Sequence, residues 1–433
     1  MDDRHSSDSG AGRFDVLIIG AGPSGTVAAA WLAKQGHRVA VLERATFPRF
    51  VIGESLLPLS MGHWDETGML PKLMEQGYAI KRGARFFRAG KQFDLAFGEN
   101  YTQGWTWTWQ VPRDHFDNVL ADEARRLGAE ILFDHEALRV DLDHGDGVEL
   151  ITRQHGAEHR FTGRFLIDSS GYGGTLVKLL GLHDAPAGNG RMALFSQVRE
   201  TEEHRARYFE PMQISFEVVA RDLWFWSIPF SDGRTSIGFV GDNSHFAEAM
   251  ASGSDAMAMN RMLEKQKAFD DRYAKVEFVH GPQCIREYTH YNQALTGERY
   301  VLTGNCAGFL DPVFSSGVAF ATESGLRAAK LLDRQLRGEA IDWKSEYEDH
   351  IRSGAEVFRT YVDTWYDGDL QDIFFAEEVE QSHKERIVSV LAGYVWDSTN
   401  PYVSKHGKAV RALAQTIRLR DAERRAKAAT GLH

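Results

Sequence analysis

Continuous runs of apolar residues occur at widely separated places in the chain. Residues 14–20 (FDVLIIG), 37–43 (HRVAVLE) and 165–171 (FLIDSSG) lack the alternation of a half-exposed strand, which is typical of strands buried in a parallel sheet. Helix formers occupy residues 22–35, so strand, helix and strand follow one another within about 30 residues. The pattern predicts a βαβ unit, and residues 299–317 again have the order strand, loop and helix start.

Two other parts of the chain alternate between apolar and polar positions. Residues 84–97 and 101–111 form one block, and MQISFEVV, LWFWSIPF and TSIGFVG, between residues 212 and 241, form a second, with SDGR as a turn. These blocks predict antiparallel strands. Helical patterns cover residues 113–127 and 254–269, and everything after Val318.

Together the patterns predict an α/β fold, α+β overall. A Rossmann-type nucleotide-binding domain is interleaved with an antiparallel β-sheet domain, and a helical part completes the chain. The expected divisions are a disordered leader (1–12), a discontinuous nucleotide-binding domain (13–80, 112–185 and 295–335), a β-sheet substrate domain (81–111 and 186–294) and a helical C-terminal region (336–433).

Composition narrows the class of protein. The 433 residues are 43% hydrophobic, carry a net charge of −11 and include two cysteines. The acidic balance argues against nucleic acid as a partner, and two cysteines are too few for a disulfide framework or a zinc site. No apolar run is long enough to span a bilayer, and the polar N-terminus does not resemble a signal peptide. We therefore expect a cytoplasmic protein without a metal or membrane partner.

The sequence GAGPSG at residues 20–25 follows a buried strand and precedes a helix. Gly20 would permit the tight turn, Gly22 would let the backbone approach a pyrophosphate, and Gly25 would let the helix pack closely. Glu43 ends the second strand about 20 residues later, where the motif expects an acid that accepts the ribose hydroxyls. Because strand, helix and acid all fit, the pattern predicts a dinucleotide site rather than an ordinary loop. FAD and NAD both suit Glu43.

Later segments resemble the p-hydroxybenzoate-hydroxylase-like FAD oxidoreductases. Residues 165–171 and 302–317 match flavin-contacting segments of that superfamily, whereas GNGR at Gly188 is too short for a second dinucleotide fingerprint. Asn305 stands where the superfamily usually has Asp, which keeps a hydrogen-bonding side chain without the charge. The resemblance implies one FAD and these cofactor-binding residues: Gly20, Gly22, Ser24, Gly25, Glu43, Arg44, Gly53, Glu54, Ser55, Arg113, Asp168, Gly171, Asn305, Asp311 and Pro312.

Three further motifs, within residues 14–402, resemble the flavin-dependent halogenases. The first is Trp-x-Trp-x-Ile-Pro, here from Trp224 through Trp226 to Pro229. The second is FLDPVFSSG, residues 309–317, and the third is IKRGARF, which puts Lys81 at the catalytic lysine of the family. Each motif alone is weak, since paired tryptophans usually fill a core and a lone lysine usually lies at the surface.

The resemblance assigns a role to each motif. The period of a strand puts Trp224 and Trp226 on one face, where they would keep the organic substrate from the flavin. Ser316 and Gly317 match the place where the family binds halide through backbone N–H groups. Tryptophan-specific members have a glutamate where this chain has Phe314, which favours the branch acting on phenols or carrier-bound substrates.

The implied reaction is a halogenation that depends on reduced FAD. A separate flavin reductase would supply the reduced cofactor, and O₂ would convert it to a flavin hydroperoxide that oxidises chloride or bromide. Lys81 would deliver the hypohalous acid to a phenol or pyrrole, free or attached to an acyl carrier protein.

Three other functions stay open from the sequence. An aromatic monooxygenase of the same fold would transfer oxygen directly, although Trp224 and Trp226 would crowd its flavin. A reductase of isoprenoid double bonds would need an apolar tunnel. A flavin-binding partner of a biosynthetic complex would need no catalytic role for Lys81.

Overall fold

The structure, a computed structural model, describes residues 13–182, 190–208, 213–251, 253–269, 271–274 and 276–430. The predicted leader and Gly188 therefore lie outside the described residues. The strands are β1 Val16–Ile19, β2 Val39–Leu42, β3 Ala79–Lys81, β4 Gly83–Arg88, β5 Lys91–Ala96, β6 Thr108–Gln110, β7 Glu130–Leu132, β8 Glu136–His144, β9 Gly147–Gln154, β10 Ala157–Gly163, β11 Phe165–Asp168, β12 Arg191–Arg199, β13 Gln213–Ala220, β14 Leu223–Pro229, β15 Arg234–Asp242, β16 Glu277–Arg286, β17 His290–Tyr291, β18 Thr296–Gly297, β19 Tyr300–Leu302 and β20 Gly308–Phe309.

Helices connect these strands and form most of the C-terminal part. They are α1 Pro23–Lys34, α2 Leu59–Thr67, α3 Leu70–Met74, α4 Arg113–Arg126, α5 Thr175–Leu179, α6 Glu202–Tyr208, α7 Ala247–Met250, α8 Asp255–Leu263, α9 Ser316–Leu336, α10 Asp349–Asp367, α11 Asp369–Phe374, α12 Gln381–Leu391, α13 Pro401–Ser404 and α14 His406–Thr430. Short 3₁₀ turns include Gly304–Cys306 and Pro312–Phe314, and a π-helical turn covers Lys344–Glu348. Among the described residues, no helix has both the length and the apolar content that a membrane span requires.

The first sheet has the strand order β18-β19-β11-β1-β2-β7. All of its neighbouring pairs are parallel except β18 and β19. Every residue of β1 and β2 is buried, which explains the absence of alternation in their sequences. Helices α1, α4 and α9 pack together on this sheet. The predicted βαβ unit and its two later strands, β11 and β19, are confirmed.

The second sheet has the order β16-β12-β15-β14-β13-β4-β5. Its pairs are antiparallel except for β13 with β4, which run parallel. One face packs against the C-terminal helices, and the other against α7 and α8. The predicted α/β architecture with an antiparallel sheet and a helical C-terminal part is confirmed, while the domain boundaries remain a prediction.

Some sequence expectations were wrong in extent. Residues 101–111 alternate, but only Thr108–Gln110 form a strand, and Trp105 and Trp107 pack edge to face outside it. The predicted helix at 254–269 ends at Leu263. The sheet β10-β9-β8 was not anticipated within the nucleotide-binding segment.

Candidate active site

The main cavity lies at the carboxyl ends of the parallel strands, where open α/β sheets bind their ligands. Its other side is formed by the antiparallel sheet, so both sheets contribute to the wall. The lining residues used below are Gly20, Gly22, Ser24, Glu43, Arg44, Arg49, Gly53, Glu54, Ser55, Arg113, Gly171, Trp224, Trp226, Ile228, Asn305, Phe309, Pro312 and Gly317. Most of the residues predicted to bind a cofactor therefore meet in one cavity.

The glycines of residues 20–25 have separate structural roles. Gly20 has φ +98°, and a Cβ there would lie 2.6 Å from the carbonyl oxygen of Ser169. A Cβ on Gly25 would lie 2.0 Å from the carbonyl oxygen of Gly20, so only glycine lets α1 pack against the loop. A Cβ on Gly22 would meet nothing closer than an Arg49 nitrogen at 3.8 Å. The loop is therefore closed against the protein and open towards the cavity at Gly22, as a pyrophosphate requires.

The buried carboxylate of Glu43 lies at the end of β2 and holds two loops. One oxygen accepts a hydrogen bond from the Ala21 N–H at 2.9 Å, and the other accepts one from the Ala45 N–H at 2.9 Å. Because the side chain also lines the cavity, its remaining lone pairs can accept hydrogen bonds from ribose hydroxyls. This arrangement fits the role predicted for Glu43.

The guanidinium of Arg113 organises the loop that contains Gly53, Glu54 and Ser55. It forms a bidentate pair with Asp117, at 2.7 and 2.9 Å, and donates to the carbonyls of Ile52 and Gly53 at 3.0 and 3.2 Å. Burial raises the pKa of Glu54 to about 7, opposed by hydrogen bonds from Ser236 and Gln197. At neutral pH this loop therefore presents to the cavity a carboxyl group that is present in both its protonated and its ionised form.

Strand β14 forms the opposite wall. Trp224, Trp226 and Ile228 line the cavity, whereas Phe225 packs into the other core, against Phe239. The predicted separation of the two faces is thus confirmed. The indole N–H of Trp224 donates to the Tyr366 hydroxyl at 2.9 Å, and a hydrogen bond to Ser236 holds Trp226 in the same way.

Gly238 is a site residue that the sequence analysis missed. It pairs with Trp226 across β14 and β15, and a Cβ at Gly238 would lie 2.4 Å from the indole. Glycine therefore makes room for the ring to lie flat across the neighbouring strand. A glycine in the middle of an apolar strand was the available signal.

Lys81 is buried, with 2% of its surface exposed, although its sequence neighbours are basic. Its Nζ donates to the carbonyl of Leu56 at 2.8 Å and lies 5.3 Å from the ring centre of Phe97, and no carboxylate among the described residues pairs with it. Burial lowers the pKa of Lys81 to about 7. Lys81 itself does not line the cavity, but Leu56 directly follows Ser55, which does.

The buried amine of Lys81 makes the stability of the fold depend on pH. In the unfolded chain Lys81 has its ordinary pKa of 10.5, so between about pH 7 and 10.5 the unfolded state binds more protons than the folded state. We therefore expect the free energy of unfolding to rise with pH in this window, by up to about 1.4 kcal/mol per pH unit. Urea unfolding across this window checks the slope. A Lys81→Met variant should lose this component, and equal slopes in both proteins would contradict it.

Asp168 and Asp311, two predicted cofactor contacts, do not line the cavity, and their role at the cofactor remains a prediction. Asp168 accepts hydrogen bonds from the backbone N–H groups of Ser170 and Leu176, so it shapes the loop after β11. Asp311 accepts from the Val313 N–H at 3.0 Å and from two tyrosine hydroxyls. Both carboxylates are fully buried and bound to their own protein, and burial raises the pKa of each.

The predicted halide residues, Ser316 and Gly317, are the first two residues of α9, and they differ in which cavities they border. Gly317 lines the main cavity, whereas Ser316 lines a smaller neighbouring cavity that Gly317 also borders. The preceding Ser315 is left-handed, with φ +58°, and Pro312 begins the 3₁₀ turn. Phe314 is buried edge to face against Trp365. Pro229 also lies off the cavity wall, and its carbonyl accepts a hydrogen bond from Gln110 at 3.1 Å.

A family model described as FAD binding domain matches residues 13–345 of the chain. The chain belongs to this FAD binding domain family. The predicted cofactor, FAD, is thus confirmed, and the open glycine loop, Glu43 and the Arg113-held loop fit it. The protein is an FAD-dependent oxidoreductase.

Known proteins similar to this FAD-binding chain include halogenases. A 1H-pyrrole-2-carbonyl-[peptidyl-carrier protein] brominase of Pseudoalteromonas luteoviolacea is 26% identical over 89% of this chain and 93% of its own. The structure of the myxobacterial chondrochloren halogenase CndH is 26% identical with a TM-score of 0.73, covering 94% of this chain and 96% of that one. The resemblance to flavin-dependent halogenases is confirmed.

A third relative has a less specific description. The crystal structure of a flavoprotein/dehydrogenase from Cytophaga hutchinsonii is 41% identical with a TM-score of 0.91. The match covers 95% of this chain and 100% of the chain from Cytophaga hutchinsonii. The fold of the FAD-binding chain therefore extends through the C-terminal helices as well.

Proposed function

We propose that this protein is a halogenase that uses reduced FAD, O₂ and chloride or bromide to halogenate an electron-rich phenol or pyrrole. The observation that carries the proposal is Lys81. Buried lysines are normally paired with a carboxylate, and this one bonds to a backbone carbonyl beside the cavity instead. An amine kept buried next to an FAD site, with no counter-ion among the residues that the structure describes, is suited to react with an electrophile.

Bound reduced FAD supplies the activated oxygen that oxidises the halide to hypohalous acid. Gly317, at the start of α9, lines the cavity with backbone that a halide can approach, and the rigid turn from Pro312 holds it. Ser316, the residue before Gly317, lines the neighbouring smaller cavity. We assign the halide to the loop from Pro312 to Gly317.

Trp224 and Trp226 exclude the organic substrate from the reacting part of the cavity. Both indoles lie on its wall, and each is fixed by a hydrogen bond through its N–H. A fixed pair of rings narrows the space to species the size of halide, O₂ and hypohalous acid. The Trp pair thereby separates halide oxidation from halogenation of the ring.

Lys81 passes the oxidised halogen to the substrate. With a pKa near 7, the side chain is present both as ammonium and as free amine at neutral pH. The ammonium can donate a hydrogen bond to hypohalous acid. Alternatively, the amine forms an N–halogen bond and its proton leaves with the hydroxide as water. In either case the ring carbon replaces its proton with the halogen.

The substrate class follows from what the site lacks and what its relatives use. Buried Phe314 supplies no carboxylate to stabilise a cationic ring, so the substrate must be activated by its own oxygen or nitrogen. The brominase of Pseudoalteromonas luteoviolacea acts on a pyrrole attached to a peptidyl carrier protein. We infer a phenol or pyrrole, free or carrier-bound, with a separate flavin reductase as partner and the cytoplasm as location.

Rapid mixing tests this function without knowledge of the substrate. Protein loaded with reduced FAD is mixed with oxygenated buffer containing bromide and phenol red, whose bromination changes its colour. We expect bromide to change the rate at which oxidised FAD appears and the dye to be brominated. If bromide, and chloride in a parallel run, affect neither reading, the protein is not a halogenase.

Dehydrogenation is the second candidate, because the relative from Cytophaga hutchinsonii is described as a flavoprotein/dehydrogenase. It belongs to the same broad class as the isoprenoid reductases considered above, and a monooxygenase would likewise need its substrate beside the flavin. Trp224 and Trp226 argue against dehydrogenation and against monooxygenation, since they occupy the cavity wall where either substrate would have to lie. Reduction of bound FAD by a substrate without O₂ would favour this candidate.

A network behind the wall connects it to the halide loop. The Tyr366 hydroxyl accepts from Trp224 and donates to Asp311 at 3.1 Å, and Asp311 binds the Val313 N–H. In Tyr366→Phe the indole loses its acceptor and Asp311 loses one donor, which costs about 1–3 kcal/mol. We expect the bromide concentration for half-maximal oxidation to rise about fivefold or more, at unchanged FAD affinity.

Tyr361→Phe is the matched control. Tyr361 lies on the same helix and is fully buried, whereas Tyr366 is partly buried. The Tyr361 hydroxyl makes a weaker 3.5 Å contact with the carbonyl of Tyr402. Bromide dependence should stay at the wild-type value in this variant. If wild type, Tyr366→Phe and Tyr361→Phe all showed the same bromide dependence, Tyr366 would have no influence on halide binding.

A further inference from the structure

Three short segments lie side by side: the loop after Glu54, which borders the cavity, then β6, and then β3, which ends at Lys81. Strand β6 pairs with β3 on one side, with Lys81 opposite Thr108, and with the loop after Glu54 on the other, with Ser55 opposite Gln110. Residues opposite each other in a ladder, or two apart in a strand, share a face. Ser55, Gln110, Thr108 and Lys81 therefore project from the same face, and we call these four residues the polar row.

The polar row has more hydrogen-bonding capacity than the protein uses. Among the described residues, no partner exists for the Ser55 Oγ, the Thr108 Oγ1 or the Gln110 Oε1. All three residues are buried, with at most 5% of their surfaces exposed. Leaving such an atom without a partner costs about 1–3 kcal/mol, so an unpartnered cluster indicates a ligand or ordered water.

The atoms of the polar row restrict what that ligand can be. The amide nitrogen of Gln110 is already bound to the carbonyl of Pro229, which leaves an amide oxygen that only accepts. The two hydroxyls can donate or accept. A small neutral molecule with both an O–H donor and an acceptor oxygen satisfies all three, whereas an anion would be repelled by the amide oxygen.

The two ends of the polar row connect it to both parts of the proposed reaction. Of the four residues, Ser55 is the one that lines the FAD cavity, so the polar row begins at the cavity wall. At the other end is Lys81, whose Nζ donates to the carbonyl of Leu56 and to no other acceptor in the described part of the chain. Hypohalous acid is small, neutral and carries one O–H, as the polar row requires.

We propose that Ser55, Gln110 and Thr108 form a binding site for hypohalous acid that guides it from the FAD cavity to Lys81. This inference rests on the proposed halogenase function. The three residues act on the reagent through hydrogen bonds, and Thr108, which pairs with Lys81, holds it beside the amine.

The test uses cyanate, which reacts as the small neutral acid HNCO and needs no halogenation. The amine nitrogen of lysine bonds to the cyanate carbon, and its proton moves to the cyanate nitrogen, giving a urea. We measure the rate at Lys81 by peptide mass spectrometry, in FAD-loaded protein, for wild type and Thr108→Val. Valine keeps the shape of threonine and removes the hydroxyl.

We expect rapid labelling of Lys81 in wild type and labelling about fivefold or more slower in Thr108→Val. Thr364→Val is the control, because Thr364 is also fully buried and, within the described ranges, its hydroxyl bonds only to the backbone of its own helix. Repeating the comparison up to about pH 9, where the amine is free in each protein, separates access from a change in the pKa of Lys81.

Two results would overturn the inference: no labelling of Lys81 in wild type while exposed lysines react, or equal rates in wild type and Thr108→Val. Failure of the proposed function is distinguishable from both. If labelling depends on Thr108 but bromide is never oxidised in the rapid-mixing experiment, the polar row is a site for small neutral acids and the halogenase function is wrong.

Discussion

Replacing Lys81 by methionine is expected to lower bromination of phenol red by about two to four orders of magnitude, while FAD affinity stays within about twofold of wild type. Methionine is unbranched and apolar, so it can occupy the buried position beside Phe97. The variant loses the hydrogen-bond donor and the nitrogen, but keeps the cavity wall. Bromination per bound FAD and a fluorescence titration of FAD are the two measurements.

A second lysine provides the control for this loss. Lys34 also donates its Nζ to a backbone carbonyl, that of Glu66 at 3.2 Å, but it does so at the surface. Lys34→Met should brominate at the wild-type rate. If Lys81→Met, with FAD bound, also brominates at that rate, Lys81 is a buried structural residue and the halogen reaches the substrate by another path.

Replacing Gly25 by alanine is expected to prevent stable binding of FAD. The added Cβ would lie 2.0 Å from the carbonyl oxygen of Gly20 and 3.2 Å from the Cβ of Ser169. Because the first contact is with backbone, α1 must move away from β1, and the helix N-terminus leaves the position where it meets the pyrophosphate. We expect FAD affinity to fall at least about a hundredfold, equivalent to about 2.7 kcal/mol. Retention of FAD on gel filtration and its titration by fluorescence measure the effect.

Gly62→Ala separates this effect from a general intolerance of alanine. Gly62 lies within α2, and a Cβ there would meet Trp105 at 4.0 Å, an ordinary contact. That variant should keep FAD and gain slightly in thermal stability, since alanine favours helix. A Gly25→Ala protein that bound FAD as tightly as wild type would mean that the loop and helix can separate without cost.

The nucleotide-binding part was predictable because each of its signals is local. A buried parallel strand reads as an uninterrupted apolar run, and a glycine loop has fixed spacing to the helix that follows it. The face of β14 occupied by Trp224 and Trp226 also followed from its sequence, since side chains alternate in any strand. These inferences needed no knowledge of which strands pair.

The polar row and the inward-facing acids could not be predicted in the same way. Asp168 and Asp311 look like cofactor ligands in sequence, but whether a carboxylate at the end of a strand faces the cavity or its own backbone depends on a turn of two or three residues. Thr108 and Gln110 meet Lys81 and Ser55 only through pairing between distant segments. Such register is set by tertiary structure, not by the sequence of either segment.

The order of strands in the parallel sheet has a consequence for synthesis of the chain. Strand β11 lies between β1 and β19, so its outer edge cannot be paired until β19, which ends at Leu302, has been synthesised. At about 5–20 residues per second, the interval between Asp168 and Leu302 leaving the ribosome is on the order of ten seconds. During that time an unpaired, apolar strand edge is exposed to other nascent chains. Production of this protein should therefore depend on chaperones during translation more than its final stability suggests.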